Sequence, residues 1–262
     1  MRWPGWDAST GNPQVRLTSR DDAHGLGLVR VRLMEPQTLK TRAETAILLL
    51  GGTVRWSAGD RTAEASRRSL FDERPSALHV GVGTEVRLEP LEGPVEVAVV
   101  EVDNPERFPP AIHRPADVRA EQRGEGMLGG TAHREVRTIV DDAVGPPEAR
   151  LVLGEVVTFP GRWSSYPPHH HDQPEIYHYR FTRPEGFGYG ELSDEVYKLR
   201  DGDTLIIPPG RTHAQVAAPG YGMWYLWAIR HLDEARYDRP TFRPEHAWTM
   251  APGARAWTPS RG

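Results

Sequence analysis

The part of the sequence best equipped for chemistry is the segment Trp163–Tyr179, which has three consecutive histidines and a nearby glutamate. His169 and His171 are two residues apart, so on a β-strand both imidazoles would point to the same face. Glu175 follows His171 by four residues, again an even spacing. Imidazole nitrogens and carboxylate oxygens are ligands for divalent metal ions. The segment therefore predicts one part of a metal site.

A second motif, GDTLIIPPGRTH, ends at His213, 38 residues after Glu175. A histidine run alone is more typical of an exposed polar loop, but here two motifs occur in order. Together they read H-x-H-x3-E and G-x5-P-x-G-x2-H, which resembles the two-part motif of cupin barrels. The resemblance implies that the ligands bind one metal, and we predict His169, His171, Glu175 and His213.

Composition restricts the metal and the partners. The chain has no cysteine, which excludes disulfides, thiolate ligands and a cysteine nucleophile. Three imidazoles and a carboxylate suit Zn, Mn, Fe or Ni, and we favour Zn or Mn. The net charge of −4 includes no basic stripe, so we expect no nucleic acid or membrane partner. The start of the sequence has no apolar signal core, and a cytoplasmic protein is expected.

The apolar pattern indicates an all-β protein. Apolar and polar residues alternate in VRVRL (Val29–Leu33) and EVRL (Glu85–Leu88), as in half-buried strands. ETAILLLGGTVRW predicts a buried strand, a turn at Gly51 and Gly52, and a returning strand. The 26 glycines and 24 prolines suit short strands joined by tight turns. We expect a bicupin, with two jelly-roll β-barrels in tandem.

This pattern predicts three segments. Residues 1–110 form a metal-free N-terminal cupin barrel, and residues 111–150 form a linker with the first strands of the next barrel. Residues 151–262 form the C-terminal cupin barrel with the metal site and a packing tail. Pro105–Gly130 has no strand pattern, and the tail from Asp233 is too rich in proline for a helix.

The N-terminal barrel is predicted to be metal-free because its sequence lacks the ligands. When ALHVGVGTEVRL is matched to LIIPPGRTHAQV, Val86 stands where the second motif has His213. No H-x-H precedes Glu44, the nearest counterpart of Glu175. The chemistry is therefore expected in the C-terminal half.

Longer strings resemble one family in particular. GRWSSYPPHHHD, EIYHYRF, GDTLIIPPGRTH, AAPGYGMWYLW and PEHAW resemble, in this order, segments of the 5-deoxy-glucuronate isomerases, bicupin enzymes of bacterial inositol breakdown. The resemblance spans almost the whole chain. It implies a metal-dependent aldose–ketose isomerase of a deoxy-uronic acid. The expected reaction converts 5-deoxy-glucuronate to 5-dehydro-2-deoxy-gluconate in myo-inositol catabolism.

Polar residues near the predicted metal suggest further roles. Glu191 and Tyr189 follow the GFG turn and are candidates for the catalytic base and acid. Arg180 is a candidate to bind the substrate carboxylate, with a surface salt bridge as the alternative. Tyr166 and Tyr177 are candidates to bind the hydroxyl groups of a small sugar acid.

The chain departs from the family around the pocket. The hairpin after the GFG turn is shorter and lacks a Gln-Arg pair, Trp227 replaces an asparagine, and His170 replaces a common lysine. These differences leave open a related sugar acid as the substrate.

Two other functions fit the same ligands. An Fe(II)-dependent cupin dioxygenase would favour a more apolar pocket than these tyrosines and arginines provide. A non-catalytic sugar-binding bicupin would commonly lack metal ligands, whereas this sequence has all four. Whatever the function, barrels of this kind often pair edge to edge, so a homodimer is expected.

Overall fold

The structure, a computed structural model, describes residues 12–260, and its regular structure is almost entirely β-strand. In chain order the strands are β1 (Gln14–Thr18), β2 (Leu26–Leu33), β3 (Gln37–Lys40), β4 (Glu44–Ala58), β5 (Arg61–Arg67), β6 (Ala77–Val80), β7 (Glu85–Val102), β8 (Ala111–His113), β9 (Arg119–Arg123), β10 (Arg134–Val140), β11 (Leu151–Thr158), β12 (Trp163–His170), β13 (Glu175–Phe181), β14 (Phe187–Leu192), β15 (Glu195–Arg200), β16 (Thr204–Ile207), β17 (His213–Ala217), β18 (Met223–Arg230) and β19 (Thr241–Phe242). Two short 3-10 helices, Met127–Gly130 and Pro244–Met250, accompany them. The all-β class is confirmed. No helix within residues 12–260 is long and apolar enough to span a membrane.

The strands form three sheets. The first has eight strands in the order β1-β2-β7-β4-β6-β8, with β3 paired to β7 and β5 paired to β4. The second has six strands in the order β16-β13-β18-β11-β10-β9. The third has five strands in the order β15-β14-β17-β12-β19.

The chain divides into two compact units. The first contains the described residues up to Arg119, together with Thr138–Gly154 and Ala228–Leu232. The second contains Ala120–Arg137, Glu155–Trp227 and the described residues from Asp233 onward. The barrel boundaries at residues 110 and 150 stay a prediction.

The first unit has a core formed by one face of the eight-stranded sheet. Ile47 and Leu49 of β4 alternate inward opposite Val97 and Val99 of β7, and Trp56 is fully buried among them. Burial of these side chains supplies most of the driving force for folding this unit.

The predicted turn at Gly51 and Gly52 is wrong. β4 runs through both glycines as one strand, and its register against β7 shifts at this point. Gly52 has a φ of 94°, and a Cβ there would lie 2.8 Å from the carbonyl oxygen of Pro94. The glycine pair therefore forms a bulge, where close backbone approach and positive φ require glycine.

The reading of Pro105–Gly130 as a segment without strands is also wrong. It contains β8, which pairs with β6, and β9, the outermost strand of the six-stranded sheet. Neither strand presents a strong apolar alternation, because both are short and lie at sheet edges, and β9 has no buried residue. The sequence alone therefore did not indicate these two strands.

The proline-rich tail contains more regular structure than expected. β19 pairs with the end of β12, where Phe242 lies opposite His169. Pro244 begins the second 3-10 helix, a position where its missing N–H costs nothing. The prediction that proline excludes a helix here was therefore wrong.

The second unit has an aromatic core. Tyr177, Tyr179 and Phe181 alternate inward along β13 and meet Tyr225 of β18. Glu175, two residues before Tyr177, has the same parity and points to the same interior. The strand pattern therefore directs a carboxylate into a buried space.

A buried carboxylate in the first unit has a structural role. Glu44 accepts hydrogen bonds from His79 Nε2 at 2.8 Å and Asn104 Nδ2 at 2.7 Å. It also accepts bonds from the backbone N–H groups of Arg150 and Leu151 at 2.7 and 3.1 Å. Glu44 lies three positions before Ile47 on β4, so it faces away from the apolar core. It is therefore not the positional counterpart of Glu175.

Replacing Glu44 by glutamine should destabilise the protein by about 2–3 kcal/mol at neutral pH, because His79 and two backbone N–H groups lose a charged acceptor. Burial favours the neutral acid, but the hydrogen bond and charge of His79 and the other donors outweigh it and lower the pKa of Glu44 below 4.5. Its stabilisation is thus present above pH 4.5 and is lost as the pH falls through the lowered pKa. Urea unfolding at pH 7 and below pH 4 measures both effects.

Glu64→Gln is the matched control, since this exposed carboxylate only forms a surface ion pair with Arg55. An equal change in unfolding midpoint for the two variants would contradict the structural role of Glu44.

Candidate metal centre

Three strands and one loop bring the predicted metal ligands together. β12 pairs antiparallel with β17, and His169 is the register partner of His213. Glu175 is the first residue of β13, and His171 follows the last residue of β12. The backbone carbonyl of His171 accepts a hydrogen bond from Gly210 N–H at 2.8 Å, which ties the two motifs together.

Glu175 is the centre of the cluster. Its Oε2 lies 3.1 Å from His171 Nε2 and 3.3 Å from His213 Nε2. All three side chains are buried, and their ligand atoms lie within 4.8 Å of one another. Two nitrogens and an oxygen that converge in this way could hold a metal ion.

His169 lies beside these three residues. Its ring centroid is 4.5 Å from that of His213, and the two rings are nearly perpendicular. It is outside the group whose ligand atoms lie within 4.8 Å of one another. His169 is therefore placed next to the cluster, and its role as a ligand stays a prediction.

The surroundings keep Glu175 ionised. Burial alone would raise its pKa, but the hydrogen bond of His171 and the charges of His171 and His213 lower it to about 2. Burial also lowers the pKa of His171, but the hydrogen bond and charge of Glu175 outweigh it and raise that pKa. Burial, together with the charge of His213, lowers the pKa of His169 to about 3, so this imidazole is neutral.

The hydrogen bonds of two imidazoles fit metal binding. His169 Nδ1 donates to the carbonyl oxygen of Pro167 at 3.0 Å, and His213 Nδ1 donates to that of Arg211 at 3.1 Å. A carbonyl can only accept, so Nδ1 of each ring carries a proton, and the lone pair that could bind a metal has to be on Nε2. His213 Nε2 is buried and has no hydrogen-bond partner. Oriented, unprotonated Nε2 atoms are what a metal requires, and these residues fit one.

Aromatic rings surround the cluster. Tyr177 lies 5.8 Å from the His213 ring, Tyr237 lies 5.0 Å from the His171 ring, and Phe242 lies 5.7 Å from the His169 ring. Sequence analysis found Tyr177 but missed the other two, which come from the proline-rich tail. That tail has no periodicity that could have pointed to them.

A chain of hydrogen bonds extends from Tyr177 into the interior. Ser165 Oγ lies 3.2 Å from Tyr177 Oη and 3.3 Å from Tyr225 Oη. Gln215 donates to Ser165 Oγ at 3.1 Å and accepts from Tyr179 Oη at 2.5 Å. The side chains beside the cluster are thus polar, which suits a hydroxylated ligand.

A model of the KduI/IolB family matches residues 8–249, nearly the whole chain. The chain belongs to the KduI/IolB family.

Curated relatives resemble the chain over most of its length. The 5-deoxy-glucuronate isomerase of Geobacillus kaustophilus is 28% identical over 239 residues, which is 83% of each protein. That of Lacticaseibacillus casei is 28% identical over 231 residues, which is 79% of this chain and 80% of the relative.

Solved structures support the bicupin fold. An IolB-like protein from Salmonella typhimurium superposes with a TM-score of 0.76 at 25% identity, covering 86% of this chain and 90% of that protein. The oxalate decarboxylase of Bacillus subtilis superposes with a TM-score of 0.67 at 12% identity, covering 94% and 79%. A cupin 2 barrel protein from Leptotrichia buccalis gives a TM-score of 0.51 at 12% identity. The predicted fold is confirmed.

The two residues proposed for proton transfer do not face the cluster. On β14, Leu192 is the register partner of His213, and Leu192 packs in the aromatic core of this KduI/IolB chain. Glu191 is paired with Ala214 instead, and Tyr189 is two residues further along the same face. Since side chains alternate between faces, Glu191 and Tyr189 lie on the face opposite His213. This register does not support their assignment as base and acid, which stays a prediction.

Two of the three proposed substrate-binding residues have other partners in the structure. Arg180 is five residues after Glu175 on β13, an odd spacing that puts it on the other face, where it pairs with Asp201 at 3.7 Å. Tyr166 packs its ring against Trp163, 5.7 Å away. The alternative reading of Arg180 as a salt-bridge residue fits the structure better. Tyr177 is the one candidate of the three that borders the cluster.

The purified, untagged protein should contain close to one divalent ion per chain, and His213→Ala should lose it. The variant removes a buried imidazole whose Nε2 lies 3.3 Å from Glu175. Elemental analysis by plasma mass spectrometry measures both. His133→Ala, which alters a partly exposed histidine bonded to Gln122, is the control and should keep the metal. A metal-free wild type after reconstitution, or retention in His213→Ala, would contradict a metal centre here.

Proposed function

We propose that this protein is a metal-dependent aldose–ketose isomerase that converts 5-deoxy-glucuronate to 5-dehydro-2-deoxy-gluconate. The observation that carries the proposal is the buried cluster of His171, Glu175 and His213 in a chain whose curated relatives are named 5-deoxy-glucuronate isomerase. The cytoplasmic location and the homodimer stay predictions.

The proposed ligands are His169, His171, Glu175 and His213, which would hold a divalent ion, with Zn or Mn favoured over Fe and Ni. When bound, the ion supplies Lewis-acid polarisation of a substrate carbonyl. Because no sulfur ligand is available, nitrogen and oxygen donors alone define the site.

The tyrosines beside the cluster are neutral hydrogen-bonding groups in this proposal. Burial, followed by the negative charge of Glu175, raises the pKa of Tyr177 well above 10, and burial also raises the pKa of Tyr225. Both phenols therefore keep their protons at neutral pH and can donate to sugar oxygens. Ser165 holds their hydroxyl groups near each other.

The polar interior favours the isomerase over the dioxygenase alternative. Ser165, Gln215 and three tyrosines offer hydroxyl and amide groups where a dioxygenase with a flat substrate would need apolar surface. The hydroxyl groups of a sugar acid can form hydrogen bonds with these side chains. An apolar substrate could not, and it would leave buried polar atoms without partners, which is costly.

The test follows the substrate by NMR in the metal-loaded protein and in protein treated with a chelator. The proposal expects equimolar conversion of 5-deoxy-glucuronate to the 2-deoxy-5-keto acid, loss of activity on metal removal, and recovery on re-addition. An oxygen electrode in the same samples should show no consumption. Oxygen uptake would favour the Fe(II) dioxygenase, and binding without turnover would favour a sugar-binding bicupin.

Tyr177→Phe should lower kcat/KM for this substrate about tenfold, because one hydroxyl donor beside the cluster is lost. The metal content should not change, since Tyr177 contacts the His213 ring through its own ring. Steady-state kinetics with elemental analysis of the same preparation measures both.

Tyr197→Phe is the control, because this tyrosine is 40% exposed and its hydroxyl bonds to Glu195 at the surface. Its kinetics should match the wild type. If kcat/KM of Tyr177→Phe also matched the wild type, Tyr177 would have no part in substrate binding.

A further inference from the structure

Arg134 is a cation on the inner side of the second unit that sequence analysis passed over. It begins β10, two residues before Val136, and Val136 packs in the aromatic core. The even spacing gives Arg134 the same inward direction. Its side chain is only partly buried, so a ligand can reach it.

The guanidinium of Arg134 has no carboxylate partner within residues 12–260. Nη1 donates to the carbonyl of Ala132 at 2.8 Å, and Nη2 donates to the carbonyl of Tyr166 at 3.1 Å. A guanidinium has five N–H donors, so most of its capacity is unused. Arg137, three residues later, shows the contrast, since it pairs with both Glu135 and Glu155.

Arg134 lies near the hydroxyl groups that lead to the metal cluster, because it bonds to the backbone carbonyl of Tyr166 and interacts electrostatically with Tyr225. Tyr166 follows Ser165, whose Oγ lies within 3.3 Å of both Tyr177 Oη and Tyr225 Oη. The ring of Tyr177 in turn lies 5.8 Å from that of His213.

Arg134 remains charged in this setting. Burial lowers its pKa, while the nearby hydroxyl of Tyr225 acts in the opposite direction. The ordinary value for arginine is so high that the group stays a cation at neutral pH. A partly buried cation facing a polar interior without a carboxylate is suited to bind an anionic ligand.

We propose that Arg134 binds the carboxylate of the substrate and makes the enzyme select a uronic acid over a neutral sugar. This inference rests on the proposed function, in which the carbonyl end of the sugar lies at the histidine cluster. In a six-carbon uronic acid the carboxylate is at the opposite end of the chain. The hydroxyl groups of Tyr177, Ser165 and Tyr225 lie between the two anchors and would meet the sugar hydroxyls.

The test compares the wild type, Arg134→Gln and Arg134→Lys, with Arg183→Gln as the control. Arg183 is an exposed arginine 4.0 Å from Glu185. Calorimetric titration with D-glucuronate and with D-glucose measures the preference for an acid without requiring turnover. Kinetics with 5-deoxy-glucuronate then measures KM and kcat. Elemental analysis and thermal unfolding show whether each variant is folded and loaded with metal.

Arg134→Gln should weaken binding of glucuronate about 10- to 100-fold, as expected for lost charged hydrogen bonds, and should leave glucose binding unchanged. KM for 5-deoxy-glucuronate should rise by a similar factor with a smaller change in kcat. The affinity of Arg134→Lys for glucuronate should lie between those of the wild type and Arg134→Gln, because lysine keeps the charge but lacks the planar guanidinium. If Arg134→Gln fails to fold, the lysine variant decides the question.

An unchanged preference for glucuronate in the folded Arg134 variants would overturn the inference. A purely structural role would weaken both sugars equally and would also overturn it. If the wild type selects glucuronate through Arg134 but does not isomerise 5-deoxy-glucuronate, the proposed function fails while the anion site stands. Binding of neither sugar acid by the wild type would overturn both.

Discussion

The arrangement of the site depends on one constraint, the burial of the Glu175 carboxylate. An ionised carboxylate removed from water is costly unless positive charge and hydrogen bonds compensate it. Here the compensation comes from His171 and His213, whose Nε2 atoms lie 3.1 and 3.3 Å from the same oxygen. His171 follows the end of β12, Glu175 begins β13 and His213 begins β17, so the ends of these three strands have to meet at this point. The pairing of His169 with His213 aligns β12 with β17.

The two units show that a buried glutamate beside a histidine is not by itself a site. Glu44 is satisfied by four protein donors, including two backbone N–H groups, and these fix local structure. Within residues 12–260 the polar partners of Glu175 are the imidazole nitrogens of His171 and His213, and His213 Nε2 is left without a hydrogen bond. A carboxylate whose partners are themselves metal-binding groups, with spare lone pairs, is poised for a ligand. This difference in partners separates a structural network from a candidate centre.

The all-β class and the convergence of His171, Glu175 and His213 follow from local patterns in the sequence, whereas the role of His169 as a ligand stays a prediction. Two-residue periodicity places His169 and Glu175 relative to their own strands, and the GDTLIIPPGRTH motif carries His213 on a separate strand. The same rule could have excluded Arg180, which is five residues from Glu175 and therefore on the other face. The orientation of Glu191 could not be predicted in this way, because it depends on the pairing of β14 with β17. Such strand register is not visible in one sequence. Tyr237 and Phe242 lie beside the cluster because the tail, which has no periodic pattern, packs against it in the tertiary structure. Edge strands such as β9 have too few apolar residues to be recognised from the sequence.

The most direct test of the central claim is the anomalous X-ray scattering of a crystal of the metal-loaded protein, recorded at the absorption edge of the bound metal. The account predicts one strong peak per chain in contact with Glu175 and with the Nε2 atoms of His171 and His213, and His169 as the fourth ligand. A peak at another place, or none at this cluster in protein shown to contain the metal, would contradict the account.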